Sequence, residues 1–441
     1  VRGSRLSALG AYADLSRPDV AFAVDGELRI EGVSYRLDDV GVHVGDVRAA
    51  IAGTVVASDE MAGTRIRLDI TGDDLAQVGR WVAESDLAEL PELPEVPFSV
   101  AGEIEVDEAG YLLRTVEIGL DRATARADGR VGLPPELHGT DLTVEARGPN
   151  TSLISGLAGQ ELPPEPFEVL GRVEVLESGF ELHDLRVSLG DDRARVDGTL
   201  GEPPDLIGTR LEVEASGPNL GRIAELSGQT GLPEQPFEIS ARFDGTPERF
   251  SVPEITARLG PSDIKGSFSI DLEDKPDFRG EFRSDHLDLS AFIVPEGEGD
   301  ANEDTEAIVE VLPADEPFDD QEAAEEDAEV ELLLSDEPFD LGRLQDLDAE
   351  VRIDVGFLVA PPLRASDFRF GLRLRDGALK IDPLAGDEEI GGTFAGDFTL
   401  EPVGEDRRLR ARLRVEDFKL DMTAEEDDSS VWPKLQLDLD L

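Results

Sequence analysis

The sequence predicts an all-β protein with short helices, laid out as one elongated antiparallel sheet assembled from units of about 70 residues. Three observations carry this. The dipeptide Pro-Phe recurs at Pro97-Phe98, Pro166-Phe167 and Pro236-Phe237, a fixed period that marks stacked units sharing one continuous core. Behind each Phe, apolar and polar residues alternate strictly, the period of a strand with one dry and one wet face. Near the end of each unit the apolar spacing switches from two to that of a helix, and a Pro-rich segment leads to the next Phe.

The unit from Phe167 to Pro236 displays the elements in order. Phe167, Val169, Gly171, Val173 and Val175 share one face, with Glu168, Leu170, Arg172 and Glu174 on the other. Phe180 and Leu182 restart the alternation, which shifts phase at His183-Asp184 and continues through Leu185, Val187 and Leu189. Ala194, Val196, Gly198 and Leu200 form a further strand, and Leu211, Val213 and Ala215 another. The breaks are turn chemistry: Glu177-Ser178-Gly179, Gly190-Asp191-Asp192 and Gly201-Glu202-Pro203-Pro204. Leu220, Ile223, Ala224 and Leu226 then lie on one helical face, with Asn219 as N-cap and Gly228 as stop. A helix of about two turns must be held by packing rather than by propensity. Each unit therefore reads as four or five strands, one short helix and a Pro-rich return.

Taken in order, residues 1–97 hold a partial first unit behind the tail of an earlier helix and linker (Leu6, Leu9, Ala11, Tyr12). Its predicted strands are Phe22–Glu31, Val33–Val44, Asp46–Ala57 and Gly63–Thr71, followed by a longer helix through Leu75, Val78 and Val82. Full units occupy 98–166, where Asn150, Leu153, Ile154 and Leu157 mark the helix, and 167–236. A divergent unit fills 237–295. Residues 296–334 are strongly acidic and poor in apolar side chains, which predicts a disordered or loosely attached insertion. Regular alternation resumes within 335–441, with strands near Phe368–Leu374, Ala378–Ile381, Gly391–Leu400 and Leu409–Val415. A start in mid-pattern at Val1 and a strand-like finish at Leu441 read as a fragment cut at both ends.

Composition excludes several function classes. A net charge of −58 rules out a phosphate-backbone binder, so no nucleic-acid partner is expected, and it disfavours adhesion of the body to an anionic membrane. Basic residues are mostly Arg, and an acidic, Lys-poor surface suggests a high-salt habitat. There is no cysteine, hence neither a disulfide framework nor a thiolate metal site. No apolar run reaches transmembrane length, and no signal peptide stands at Val1.

Catalytic chemistry is not visible. His43, His138, His183 and His286 are scattered without metal-ligand spacing and read as surface or turn residues. Carboxylates are too abundant for any pair to be diagnostic, and no phosphate loop, nucleophile elbow or zinc motif occurs. The acidic stretch lacks a Ca²⁺ loop pattern. Asn150-Thr151-Ser152 matches a glycosylation sequon but is explained by helix capping. We expect no enzyme, no cofactor and no metal.

Four motifs in sequence order carry a family likeness: Gly-Pro-Asn-Leu-x-x-Ile at Gly217–Ile223, Leu-Pro-x-x-Pro-Phe-Glu at Leu232–Glu238, Leu-Gly-x-Ser-Asp-Ile-Lys-Gly-Ser at Leu259–Ser267, and Arg-Ser-Asp-His-Leu-Asp-Leu at Arg283–Leu289. With the stretch from Ser335 and Leu374–Leu379, they make nearly the whole chain, apart from the acidic insertion, resemble the AsmA family of bacterial envelope proteins. The resemblance implies an elongated, curved antiparallel β-sheet of repeating groove modules with an apolar concave face, and an AsmA C-terminal-like region over 335–441. It also implies a periplasmic location, anchoring in the inner membrane by an N-terminal helix that this chain does not contain, and phospholipid transfer towards the outer membrane.

The residues fit that role. One short helix per unit is too little to cover four or five strands, so an apolar strip stays open, and long exposed strips mark binding surfaces. Exposing a sixteen-carbon acyl chain to water costs on the order of 13 kcal/mol, which a continuous trough would largely remove. Repeated units make successive positions close in energy, and a five-strand unit would advance the trough by roughly 24 Å. The expected lining is Phe98, Val100, Ile104, Val106, Val116, Ile118 and Leu120 in one unit. In the next it is Phe167, Val169, Val173, Val175, Phe180, Leu182, Leu185, Val187, Leu189, Val196, Leu211 and Val213. In the divergent unit it is Phe237, Ile239, Phe268 and Ile270. The expected partners are phospholipids, the inner and outer membranes, and envelope proteins of unknown identity. The competing readings are a β-repeat stalk or adhesin, and an outer-membrane protein assembly factor without lipid transport.

Overall fold

The chain forms one open, elongated and curved sheet in which every strand pairs with its sequence neighbour, as seen in a computed structural model. Residues 2–3, 20–58, 61–84, 93–152, 155, 162–202, 206–226, 228–229, 231–272, 275–292, 345–361, 363–388, 392–403, 406–419 and 431–440 are described. They contain twenty-three strands and two helices. The acidic insertion 296–334 and most of the helix expected near Leu153 and Leu157 lie outside the described residues.

A unit is four strands, not five. The first comprises β2 (Phe22–Glu31), β3 (Ser34–Val44), β4 (Val47–Val56) and β5 (Arg65–Gly72), followed by α1 (Leu75–Glu84). The second comprises β6 (Phe98–Asp107), β7 (Gly110–Leu120), β8 (Ala123–Val131) and β9 (Asp141–Gly148). The third comprises β10 (Phe167–Leu176), β11 (Gly179–Leu189), β12 (Asp192–Gly201), β13 (Arg210–Gly217) and α2 (Leu220–Leu226). The fourth comprises β14 (Phe237–Gly245), β15 (Arg249–Leu259), β16 (Ser262–Asp271) and β17 (Asp277–Asp288). Four strands advance the sheet by roughly 19 Å per unit at about 4.8 Å each, less than a five-strand unit would give. Beyond them run β18 (Asp348–Ala360), β19 (Leu363–Arg375), β20 (Ala378–Glu388), β21 (Thr393–Val403), β22 (Asp406–Lys419) and β23 (Val431–Asp440), and a two-residue strand β1 (Arg2–Gly3) lies against β2. Strands β19 to β22 are longer than the alternation near Phe368, Ala378, Gly391 and Leu409 indicates.

Each unit carries the same built-in kink. In β11 the register slips by one residue between Leu182 and Leu185, and Asp184, at φ 47°, is the extra residue of a β-bulge. Asp39 and Thr115 occupy the equivalent place in β3 and β7 with φ 48° and 49°. The phase shift at His183-Asp184 in the sequence is this bulge. It bends the strand and re-aims every side chain beyond it, so apolar residues on both sides of the slip still face the same way.

The two rims are stitched by recurring contacts. At one rim the opening phenylalanines Phe22, Phe98, Phe167 and Phe237 are buried, and the last three pack over Gly72, Gly148 and Gly217 at the end of the preceding unit. The carbonyls of Pro97, Pro166 and Pro236 accept hydrogen bonds from the turn amides of Asp121, Gly190 and Gly260. The first amides of the helices are satisfied by the Pro-rich return, Leu75 on Val96 and Leu220 on Gln235, which meets donors that a helix start leaves orphaned. At the other rim the buried Thr64, Thr140 and Thr209 accept the amides of Val56, Gly132 and Gly201 through Oγ1, and their main chains clamp the next unit at Val106, Val175 and Gly245.

One junction breaks the meander. Strands β17 and β18 pair in parallel, Asp277 beside Asp348 and Leu287 beside Leu358. Residues 289–347 leave from the rim that carries the helices in the earlier units and must return the chain to the opposite rim. A parallel pair requires such a crossover connection of about a dozen residues or more.

Candidate functional site

The register sorts side chains onto two faces of opposite character. Starting at β10, Val169 stands beside Ala146 and Val187, Val187 beside Ala194, and Ala194 beside Ala215, which stands beside Ile239. Val173 stands between Leu142 and Leu182, and Val196 between Leu185 and Val213. Followed strand by strand, such rows form one apolar strip from β2 to β22, on the order of 100 Å along the sheet at about 4.8 Å per strand.

All the sequence-selected lining residues fall on this face, but in two roles. Phe98, Val106, Val116, Phe167 and Phe237 are buried; Phe98, Phe167 and Phe237 close one rim, Val106 sits at the other, and Val116 is locked behind the bulge. The rest are half-buried or exposed, with Phe180 at 36%, Ile118 at 37% and Val187 at 39% exposure. Phe180 lies next to a strand end, but for Ile118 and Val187, inside their strands on the apolar side, such values mean that no second layer of the described residues covers them. The closed packing instead lies further along, where Ala365, Phe394 and Val415 form a small core with Leu363, Phe368, Leu384 and Leu413. Sequence reasoning did not select Leu113, Leu142, Val144, Ala241, Val252 or Ile255, whose register places them in the same strip. Their alternation was the available signal.

The opposite face is a lattice of ion pairs. Arg130 grips Asp107 with both guanidinium nitrogens at 2.6 and 2.9 Å, and Arg172 grips Asp141 at 2.5 and 2.7 Å. The Arg172 guanidinium holds the Asp141 carboxyl below its ordinary range, and Arg195 does the same to Asp184. Asp128 is lowered chiefly by the backbone amide of the bulge residue Thr115, 2.7 Å away. Solvent-exposed pairs of this kind contribute about 0–1 kcal/mol each, so their main effect is to keep this face wet. A cleft of about 740 Å³ opens on it between Arg186, Arg193, Arg195, Glu168, Glu214 and Glu238, where Ser188, Ser216 and Ser240 are shorter than their neighbours.

Two of the four histidines match their sequence reading as surface or turn residues and two are half-buried. His43 and His138 are exposed, while His286 stacks on Phe357 at 5.5 Å. Strand pairing brings Glu174, Glu181 and His183 together with ligand atoms within 4.8 Å of one another, an arrangement that residue spacing alone did not display. All three are half-exposed, and Arg172 stands directly beside His183 across the strands. No protein-family model, curated protein or solved structure matches this chain.

Proposed function

We propose that this chain is a bridge-like lipid carrier of the bacterial periplasm, whose apolar strip shields phospholipid acyl chains during passive transfer between inner and outer membrane. The resemblance to the AsmA family points the same way. The observation that supports it is the apolar face that no second layer of the described residues covers: Ile118 and Val187, each two residues in from a strand end, remain more than a third exposed along a strip that crosses every unit. Soluble proteins rarely leave contiguous apolar area of this extent without an occupant. Each methylene withdrawn from water onto it gains about 0.8 kcal/mol, and that gain needs no directional contacts, so a chain can slide. A stalk of independent sandwiches would close a core within each unit, whereas here the units share one sheet whose apolar face no second layer of the described residues covers.

Native mass spectrometry of the purified chain, with lipid extraction, tests the proposal. The expected result is several co-purifying phospholipids per chain. Val187→Glu should remove most of them while circular dichroism still reports the intact sheet, because the side chain stands on the open strip and not in a closed core. A lipid-free mass with Ca²⁺-dependent stability would discard lipid carriage in favour of a stalk.

A further inference from the structure

The fourth unit departs from the first three on the apolar face. In the third unit Gly198 stands opposite Leu182; one unit on, Phe268 stands opposite Val252 in the same register position. Gly53 and Gly129 hold that position in the first and second units, beside Leu37 and Leu113. Phe243 likewise takes the place of Val173, and Phe282, opposite Gly266, takes that of Val213, opposite Val196. At this position the strip is bare glycine through three units and carries a ring in the fourth, where phenylalanines also replace two of the third unit's valines. Phe268 stacks on Phe278 at 5.9 Å between centroids, and Phe243 meets Phe250 at 6.1 Å. The Phe282 ring lies against Gly266 and Gly280, and Val252 is wholly buried. The rings themselves are only half-buried and remain reachable.

Over a glycine, an occupant touches backbone and the flanking aliphatic side chains; over these rings it covers large, fixed apolar surfaces that sit higher in the strip. The strands beneath are paired on both sides, so the face offers rings and methyl groups and few free hydrogen-bonding groups. A methylene chain needs nothing more, whereas a peptide laid there would leave amides unpaired. Resting on the lipid-carrier reading above, we infer that the fourth unit is a dwell site for alkyl chains, built on Phe243, Phe250, Phe268, Phe278 and Phe282. Occupancy along the strip is then biased towards this unit rather than uniform.

The test uses tryptophan reporters in the full chain with Trp81 and Trp432 replaced by Phe. Phe268→Trp reads the fourth unit and Val196→Trp the third; Phe243→Trp and Val173→Trp form a second pair in case either of the first fails to fold. Each is incubated with phosphatidylcholine vesicles bearing dibrominated acyl chains, which quench indole only at contact, and the vesicles are removed before reading. The dwell site predicts half-maximal quenching in the fourth unit at least about threefold lower in lipid than in the third. Equal or reversed midpoints overturn the dwell site and leave lipid carriage standing. Absence of quenching at all reporters, with the sheet intact by circular dichroism, overturns both.

Discussion

At φ 118°, Gly198 holds a backbone conformation that side chains rarely adopt, and a Cβ there would fall against the carbonyl oxygen of Arg210 on the next strand. Gly53 and Gly129 have the same relation to Arg65 and Asp141, so the requirement is shared by the first three units, and Phe268 takes this place in the fourth. Gly198→Ala should lower unfolding stability by about 1–3 kcal/mol, measured by urea denaturation; a loss below about 0.5 kcal/mol would show that the strand relaxes around the methyl group. The bulges make a second prediction at this scale. Asp128 and Asp184 have folded-state pKa values lowered by the Thr115 amide and the Arg195 guanidinium respectively. A lowered carboxylate contributes stability above its unfolded pKa of about 4 and loses it as pH falls through the folded value. The urea midpoint should therefore hold from pH 8 to about 5 and fall below about pH 4, and Asp128→Ala should flatten part of that fall. A midpoint that rises on acidification would show that relief of the self-repulsion from a net charge of −58 outweighs these contacts. The phase shift at His183-Asp184 was legible in the sequence because a bulge interrupts a period of two. The glycine requirement was not, since in the alternation Gly198 looks like any small apolar residue.

Helix α2 shows how one element is held. Asn219 Oδ1 accepts the Arg222 amide at 3.0 Å, and Gly228, at φ 78°, donates back to the Glu225 carbonyl, so the cap and stop read from sequence are both in place. The anchor is different and was not foreseen. Arg222 reaches from the helix to Asp192 at the edge of the apolar face and to Glu165 on the return segment, 2.7 Å away. The Asp192 side chain is only 7% exposed, and its Oδ1 has no partner among the described residues. Val47 and Ala123 open the equivalent strands in the first two units, so the ion pair is particular to this one. Arg222→Met should strand a buried carboxylate and cost about 3 kcal/mol, seen as lost hydrogen-exchange protection in α2 and β12. Adding Asp192→Ala, the residue present in the second unit, should restore most of it. A single-variant cost below about 1 kcal/mol would place the pair among ordinary surface contacts.

For the whole molecule, the parallel pair β17–β18 reverses the sense in which strands alternate between the rims. Cutting residues 289–347 to fewer than about ten should prevent that pairing, because the chain must travel the length of a strand before β18 can begin. Hydrogen exchange should then show protection lost in β17 and β18 and kept in β6 to β13. Retained protection throughout would mean that β18 can pair in the opposite direction.

The sequence by itself determined the β class, the repeating unit, the turns, the helix caps and which residues share a face, because each rests on local periodicity or on one residue's backbone preference. Residue alternation left two matters open that only the tertiary structure decided. A strand reads the same whether its neighbour runs parallel or antiparallel, so the direction of β18 depends on a connection whose composition carries no pattern. An apolar face reads the same whether a second layer covers it or not, since alternation records which side avoids water, not what stands opposite. In the described residues Phe98, Phe167 and Phe237 close one rim, while Ile118 and Val187 stay open between the rims.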